Sequence, residues 1–201
     1  MGLDYSKGCV NVRDVGECVN RLADSTLVPP GRILRGGKLD FVRTAAEIGC
    51  PGTIINLRMG PDTEDCRFGA AYWQFAIPNH DEKYDTTDPA VRRWLSEVFT
   101  CLATEVARFP VLLHCTSGKD RTGVVGAALL TVLGIERARV VQEYLWSAGE
   151  VQRAWIERSL DGIGDPVAYF RRVDLGELRR RLVGDGSPSS SADSRVPINR
   201  T

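Results

Sequence analysis

Cys115 stands in a segment that joins two apolar runs, Val111-Leu112-Leu113-His114-Cys115-Thr116-Ser117-Gly118-Lys119-Asp120-Arg121-Thr122-Gly123. Val111 to Leu113 reads as a short buried strand, and Val124 to Leu133 as a buried helix. A strand that turns through a glycine-containing loop into a helix start makes an anion cradle. The loop N–H groups have no partners of their own, and the helix dipole adds positive potential. Thiols in such settings lose their proton more easily than the ordinary pKa of about 8.5 would allow. The resulting thiolate is a good nucleophile toward phosphorus. Arg121 follows Cys115 by six positions, so a tight loop can bring its planar guanidinium over the same anion and hold two phosphoryl oxygens. Thr122 is placed to hydrogen-bond the sulfur when it leaves. Gly118 and Gly123 are expected to allow close backbone approach and positive φ, in the loop and at the helix packing point. The backbone of Thr116, Ser117, Gly118 and Lys119, the Lys119 ammonium and the flanking His114 complete the expected substrate-binding set.

The run from His114 to Gly123 resembles the signature loop of the cysteine-dependent protein tyrosine phosphatase superfamily: His-Cys, five residues, Arg, Thr. Within that superfamily the Lys-Asp-Arg sequence resembles the branch of bacterial tyrosine and lipid phosphatases. The resemblance implies a cysteinyl-phosphate intermediate, no metal or other cofactor, and a catalytic part for Asp120. It also ties a lysine at position 119 to substrates with more than one anionic group, such as phosphoinositides.

The leaving oxygen needs an acid within hydrogen-bond reach. Many tyrosine phosphatases supply it from a Trp-Pro-Asp loop, and that tripeptide is absent here. Asp120, inside the cradle, is the first choice. Asp81 is the alternative, in the polar loop 79–89 that follows a strand end, where open α/β sheets carry their sites. Asp85 reads as a surface residue of that loop, and Asp88 as the N-cap of the next helix.

Weaker resemblances run through the rest of the chain. Asn11-Val12-Arg13-Asp14-Val15-Gly16 resembles an Asn-Phe-Arg-Asp-Leu-Gly element of the same branch, with Val12 in place of the aromatic. Gly31-Arg32-Ile33-Leu34-Arg35 through Leu39 resembles its Gly-Arg-x-x-Arg-Ser-x-x-Leu strand, with Gly36-Gly37 where a serine is usual. The family places both beside the catalytic loop. That makes Arg13, Asp14, Arg35 and Lys38 candidates for substrate contact or for support of the loop. For Asp14 the alternative is an ion pair with an arginine that ties the N-terminal segment down. Thr53 to Arg58 resembles the family's strand ending in Asp-Leu-Arg, and Arg58 is expected to pair structurally with Glu64 or Asp65. Glu143-Tyr144-Leu145-Trp146-Ser147 resembles the x-Tyr-Leu-x-Ser segment after the catalytic helix.

The elements that must position these residues follow from pattern and punctuation. Residues 9 to 16 read as an extended segment with turns. Strands are expected at 53–58, 72–77 and from 111 onward, the family resemblance implies one within 31–39, and helices are expected at 40–48, 62–71, 89–108, 122–133, 137–148, 150–160 and 166–182. Asp40 is the expected N-cap of the first helix. The fold class is α/β: a central, mainly parallel sheet of four to five strands flanked by helices on both faces. Residues 1–183 form one domain. Residues 184–201, rich in Gly, Ser and Pro, form a tail with too few apolar residues to fold.

Bulk properties narrow the partners. With 26 basic and 26 acidic residues among 201, the net charge is zero, so no global field favours nucleic acid or a membrane surface. No apolar run is long enough to span a bilayer. The six cysteines show no metal-ligand spacing and read as reduced thiols. Together with a start that lacks signal-peptide character, they suggest the cytoplasm. The expected partner is a phosphorylated substrate, with no nucleic acid and no stable membrane insertion. The expected activity is metal-independent hydrolysis of a phosphate monoester in a phosphotyrosine protein or a phosphoinositide. A metabolic phosphatase acting on a sugar or nucleoside phosphate is the alternative, and an inactive phosphate reader a third.

Overall fold

The computed structural model describes residues 2–78 and 81–184, with residues 81 and 82 described by their backbone only. Five strands form one sheet in the order β1-β2-β5-β3-β4. They are β1 (Arg13–Asp14), β2 (Ile33–Gly36), β3 (Thr53–Asn56), β4 (Ala71–Gln74) and β5 (Val111–His114). Only β1 runs antiparallel, and it pairs with β2. The other neighbours are parallel, with Gly36 and Asn56 flanking His114 at the carboxyl end of β5. The loop after β5 therefore leaves the middle of the sheet, between two other strand ends.

Strand alternation separates two cores, as a period of two requires. Ile33, Ile55, Val111 and Leu113 face the larger core, packed by helices α1 (Val15–Ala23), α2 (Pro89–Leu102), α3 (Asp120–Val132), α4 (Arg137–Leu145), α5 (Arg153–Ile163), α6 (Pro166–Tyr169) and α7 (Leu175–Val183). Leu34, Ile54 and Leu112 face a smaller core closed by Leu39, Val42 and Ile48. That second face is covered by loops and two 3-10 turns, Ala45–Ile48 and Asp65–Arg67, in place of the helices expected there. α3 is buried nearly all round, as its apolar sequence implies.

Several element boundaries differ from the sequence expectation. The helix expected at 40–48 is only that turn, capped by Thr44 and Glu47, because Asp40 is drawn to Lys38 and Arg58 instead. The helix expected at 62–71 shrinks to a 3-10 turn at Asp65–Arg67, ended by Phe68 in the left-handed region and then Gly69. The pattern over 166–182 splits into α6 and α7, with Asp174 capping the second. α1, unforeseen in the sequence, begins inside the segment read as extended. Asp14 caps it by accepting from Glu17 N. Asp88 caps α2, as expected.

Candidate active site

The loop from Cys115 to Lys119 is held by its carbonyls. Lys38 N donates to Thr116 O at 3.0 Å, Asn11 Nδ2 to Ser117 O at 2.7 Å, and Arg35 Nη2 to Gly118 O at 2.9 Å. A peptide whose carbonyl is pulled outward turns its N–H the other way. Among the described residues, the backbone N–H groups of Thr116 through Thr122 donate to no protein acceptor. The last of them belong to the first turn of α3, which begins at Asp120. Unpartnered N–H groups converging at a helix start are what an anion needs. Cys115 lies at the base of this nest and is almost fully buried.

Arg121 closes the cradle. Its Nη1 donates to Leu57 O at 3.1 Å and Ile77 O at 3.4 Å, and its Nη2 to Thr116 Oγ1 at 3.0 Å. Two strand ends thus pin one side of the guanidinium. Nε, buried, has no partner among the described residues. The Nε–Nη2 edge is therefore the one left to grip two oxygens of an anion. Thr122 Oγ1 is likewise buried without a partner. A hydroxyl in that condition costs free energy unless something at the site uses it; a sulfur anion would.

Glycines let the loop close. Gly118 has φ +67°, and a Cβ there would lie 2.5 Å from Gly36 C. Gly37 faces Thr116 O and Val10, and a Cβ on Gly36 would strike Cys9 Sγ at 2.5 Å. The Gly36-Gly37 departure thus has a physical cause: the loop rests on that backbone, and Cys9 fills the space beside it. Gly123 packs against the Tyr144 ring, 2.7 Å from where its Cβ would stand. Gly118→Ala combines left-handed strain with a backbone clash. It is expected to cost about 1–3 kcal/mol in a thermal melt, together with most of the activity.

A model of the tyrosine phosphatase family matches residues 5–164, which spans the sheet, the cradle and α3 to α5. The chain belongs to that family. A tyrosine-protein phosphatase from Nostoc commune is 50% identical over 88 residues, covering 42% of this chain and 30% of the relative. The triple specificity protein phosphatase PtpB of Mycobacterium tuberculosis is 45% identical over 65 residues, covering 32% of this chain and 22% of the relative. The matched segment is thus less than a third of either relative's length. The core catalytic domain of the PP-IP phosphatase Siw14 from S. cerevisiae, solved with citrate, superposes with a TM-score of 0.50 at 17% identity. That alignment covers 72% of this chain and 90% of the other, and at this identity it speaks to the fold.

Asp120, the first residue of α3, reaches the cradle's edge with its side chain mostly buried. Its Oδ1 accepts from Tyr84 Oη at 2.7 Å, and Tyr84 Oη lies 2.9 Å from Tyr144 Oη. Burial, the bond to Tyr144 and the charge of Asp120 together push the Tyr84 phenol far above its ordinary range, so it stays a neutral donor. Lys119 Nζ lies 3.4 Å from the same Oδ1 and donates to Glu150 O at 2.7 Å, beside Trp155. Asp81 lies on the 3-10 turn Asp81–Tyr84; its side chain is outside the described residues. With two tyrosines in series fixing one carboxylate oxygen, Tyr84→Phe is expected to lower kcat about tenfold with KM little changed, the worth of a hydrogen bond to a charged group. Steady-state kinetics on an aryl phosphate reads that split.

The remaining candidates sit outside or beneath the cradle. Arg35, fully buried, lies under the loop, with Nη1 2.6 Å from Glu143 Oε2 and Nη2 on Gly118 O. Burial weakens its hold on its proton, and Glu143 opposes that. Arg13 joins the same cluster, 2.9 Å from Glu143 Oε1 and 3.0 Å from both Glu143 O and Ser147 Oγ. Both arginines therefore brace the loop and do not line the cradle. Asp14 spends its carboxylate on the α1 cap and Gly31 N, and pairs with no arginine among the described residues. Lys38 gives its N–H to the loop while its ammonium pairs with Asp40 beside Tyr5. Tyr5 Oη lies 2.7 Å from Ser117 Oγ at the same rim.

His114 is fully buried, its Nε2 2.8 Å from Asp62 Oδ2 but off the hydrogen-bond axis. It walls the carboxyl end of β5. Arg58 pairs with Asp62 at 3.1 Å and Asp40 at 3.3 Å. The expected partners, Glu64 and Asp65, give way because the helix that would have presented them is absent. Cys9 is the cysteine nearest in influence to Cys115. Burial pushes its thiol up to about 12, Gly37 O lowers it, and the charge of Cys115 adds to the rise.

Three contributors escaped the sequence reading: Tyr84, Asn11 as a loop tether, and Glu143 as the anchor of two arginines. Glu143 carried a usable signal. A lone acid in the x-Tyr-Leu-x-Ser run, on the face of α4 that buries Val140 and Tyr144, calls for a cationic partner.

Proposed function

We propose that this chain hydrolyses phosphate monoesters through a cysteinyl-phosphate intermediate, with phosphotyrosine protein or phosphoinositide as the substrate class. The observation that carries the proposal is the run of unpartnered N–H groups from Thr116 to Thr122 around the Cys115 thiol, closed by the free edge of Arg121. The phosphoryl oxygens bind those N–H groups and the guanidinium. The Cys115 thiolate attacks phosphorus in line. The S–P bond forms as the bond to the leaving oxygen breaks, and Asp120 gives that oxygen its proton. Water then attacks phosphorus, Asp120 takes a proton from it, and the S–P electrons return to sulfur, which Thr122 stabilises by a hydrogen bond. The donors are fixed before substrate arrives, so little reorganisation is needed as charge develops.

The family and the names of the two relatives, a tyrosine-protein phosphatase and a triple specificity protein phosphatase, support a phosphoprotein or lipid substrate over a metabolite. Lys119 beside the cradle adds a second cation for a substrate with more than one anionic group. The test is phosphate release, with EDTA present, from a phosphotyrosine peptide, a phosphoinositide, and several sugar and nucleoside monophosphates. Turnover of the peptide or lipid is the expected result. Turnover confined to one small phosphate would replace the substrate class while keeping the chemistry.

A further inference from the structure

A second cationic concavity lies between α2 and α6, and it shares no residue with the cradle. It encloses about 400 Å³, within the range of small-ligand sites. Arg92, Arg93, Arg171 and Arg172 line it, with Tyr169 as a wall and Pro89, the first residue of α2, at one side. Two arginines come from the start of one helix and two from the turn after another, nearly eighty positions later.

Two of the four are fixed in place. Arg92 Nε donates to Tyr169 O at 2.8 Å and its Nη2 to Ala168 O at 3.1 Å, while its guanidinium stacks 4.8 Å from the Tyr169 ring centroid. Arg171 Nε donates to the same Ala168 O at 3.1 Å. The carbonyls that end α6 therefore gather two guanidinium groups and leave Nη donors on both. Arg93 and Arg172 are exposed and add mobile charge. Among the described residues, no carboxylate pairs with any of the four. The nearest acids are otherwise placed: Asp88 caps α2, and Asp85 pairs with Arg158. Glu97, one turn after Arg93, forms no ion pair with it.

We infer that this concavity binds an anion carrying more than one phosphoryl group. Four unneutralised cations around one concavity repel each other, and two are held there by specific backbone acceptors. Guanidinium forks match phosphoryl oxygens bidentately. A single phosphate would leave most of that charge uncompensated, whereas several phosphoryl groups answer it. Such an anion can come free in solution, as an oligophosphate, or presented by a bilayer, as a phosphorylated lipid headgroup.

Titration calorimetry with inorganic tripolyphosphate on the full chain tests the inference. Two binding events are expected for the wild type, one in the cradle and one here. Arg93→Ala/Arg172→Ala should weaken the second at least ~10-fold, and raised salt should weaken it further. Both side chains are exposed and, among the described residues, neither forms an ion pair, so the melting temperature should be unchanged and hydrolysis of p-nitrophenyl phosphate should stay within about twofold of wild type. Arg121→Ala should remove the other event alone. Sedimentation with phosphatidylcholine vesicles, with and without a small fraction of phosphoinositide, identifies the source. Pelleting that needs the phosphoinositide and is lost in the double variant marks a headgroup; binding of tripolyphosphate without pelleting marks a soluble anion. A single event that survives the double substitution and vanishes with Arg121→Ala, with no pelleting, overturns the site while leaving the catalytic reading intact.

Discussion

Cys115→Ser is expected to lower turnover of an aryl phosphate by at least ~10³-fold, about 4 kcal/mol of transition-state stabilisation. The affinity for inorganic phosphate should change far less. The reason is a division of labour within the cradle. In the proposed mechanism the N–H groups of Thr116 through Thr122 and the Nε side of Arg121 bind the anion, and the substitution leaves them in place. Only the sulfur forms the covalent bond, and a serine hydroxyl in the same place is a much weaker nucleophile at neutral pH. Two measurements check the result. Steady-state kinetics gives the loss in kcat. Rapid quenching of the wild type with a radiolabelled aryl phosphate should trap label on Cys115, and the variant should trap none. Turnover unaffected by the substitution would sink the thiolate mechanism and leave the cradle as a binding site.

Glu143→Ala should cost about 3–5 kcal/mol of stability, as expected when one member of a buried charge cluster is removed. The Arg35 and Glu143 side chains are both 1% exposed, and Arg13 is nearly covered. Without the carboxylate, two guanidinium groups stay buried against each other beneath the loop. Removing both Arg35 and Glu143, as in Arg35→Met/Glu143→Leu, should restore much of the stability, because two apolar side chains do not strand a charge. Activity should not return with it, since Arg35 Nη2 would no longer hold Gly118 O. Chemical denaturation of the single and double variants, set beside their kcat, separates the two effects. Recovery of both together would mean that the cluster serves the fold alone.

Local chemistry made the cradle legible. A strand, a glycine loop and a helix start are contiguous, so the cysteine, the arginine, the threonine and the backbone donors are placed by the geometry of one segment. The parallel sheet could be read in part for the same reason, since β3 and β5 are short apolar runs, whereas β2 was legible through its resemblance to the family's strand. Boundaries failed where a tertiary partner outbid a local one. Asp40 was expected to cap a helix and is held by Lys38 and Arg58. Asp14 was weighed for a place near the substrate and caps α1, a helix whose apolar face is only two or three residues wide.

The roles of the flanking arginines lay beyond sequence reasoning. Arg13, Arg35 and Arg121 are all arginines near the loop in the fold. Arg121 keeps its Nε without a partner among the described residues, while Arg13 and Arg35 turn to Glu143. That difference depends on which acceptors surround each guanidinium once α4 has packed against α1 and α3, and those acceptors are up to 134 residues away along the chain. The same holds for Asp120, whose carboxylate is aimed by Tyr84 from a turn on another element. Contiguous residues determined what chemistry this chain carries. The long-range packing decided which cations face the cradle and which carboxylate stands at its edge, because the free energy of a buried charge is set by its neighbours in space.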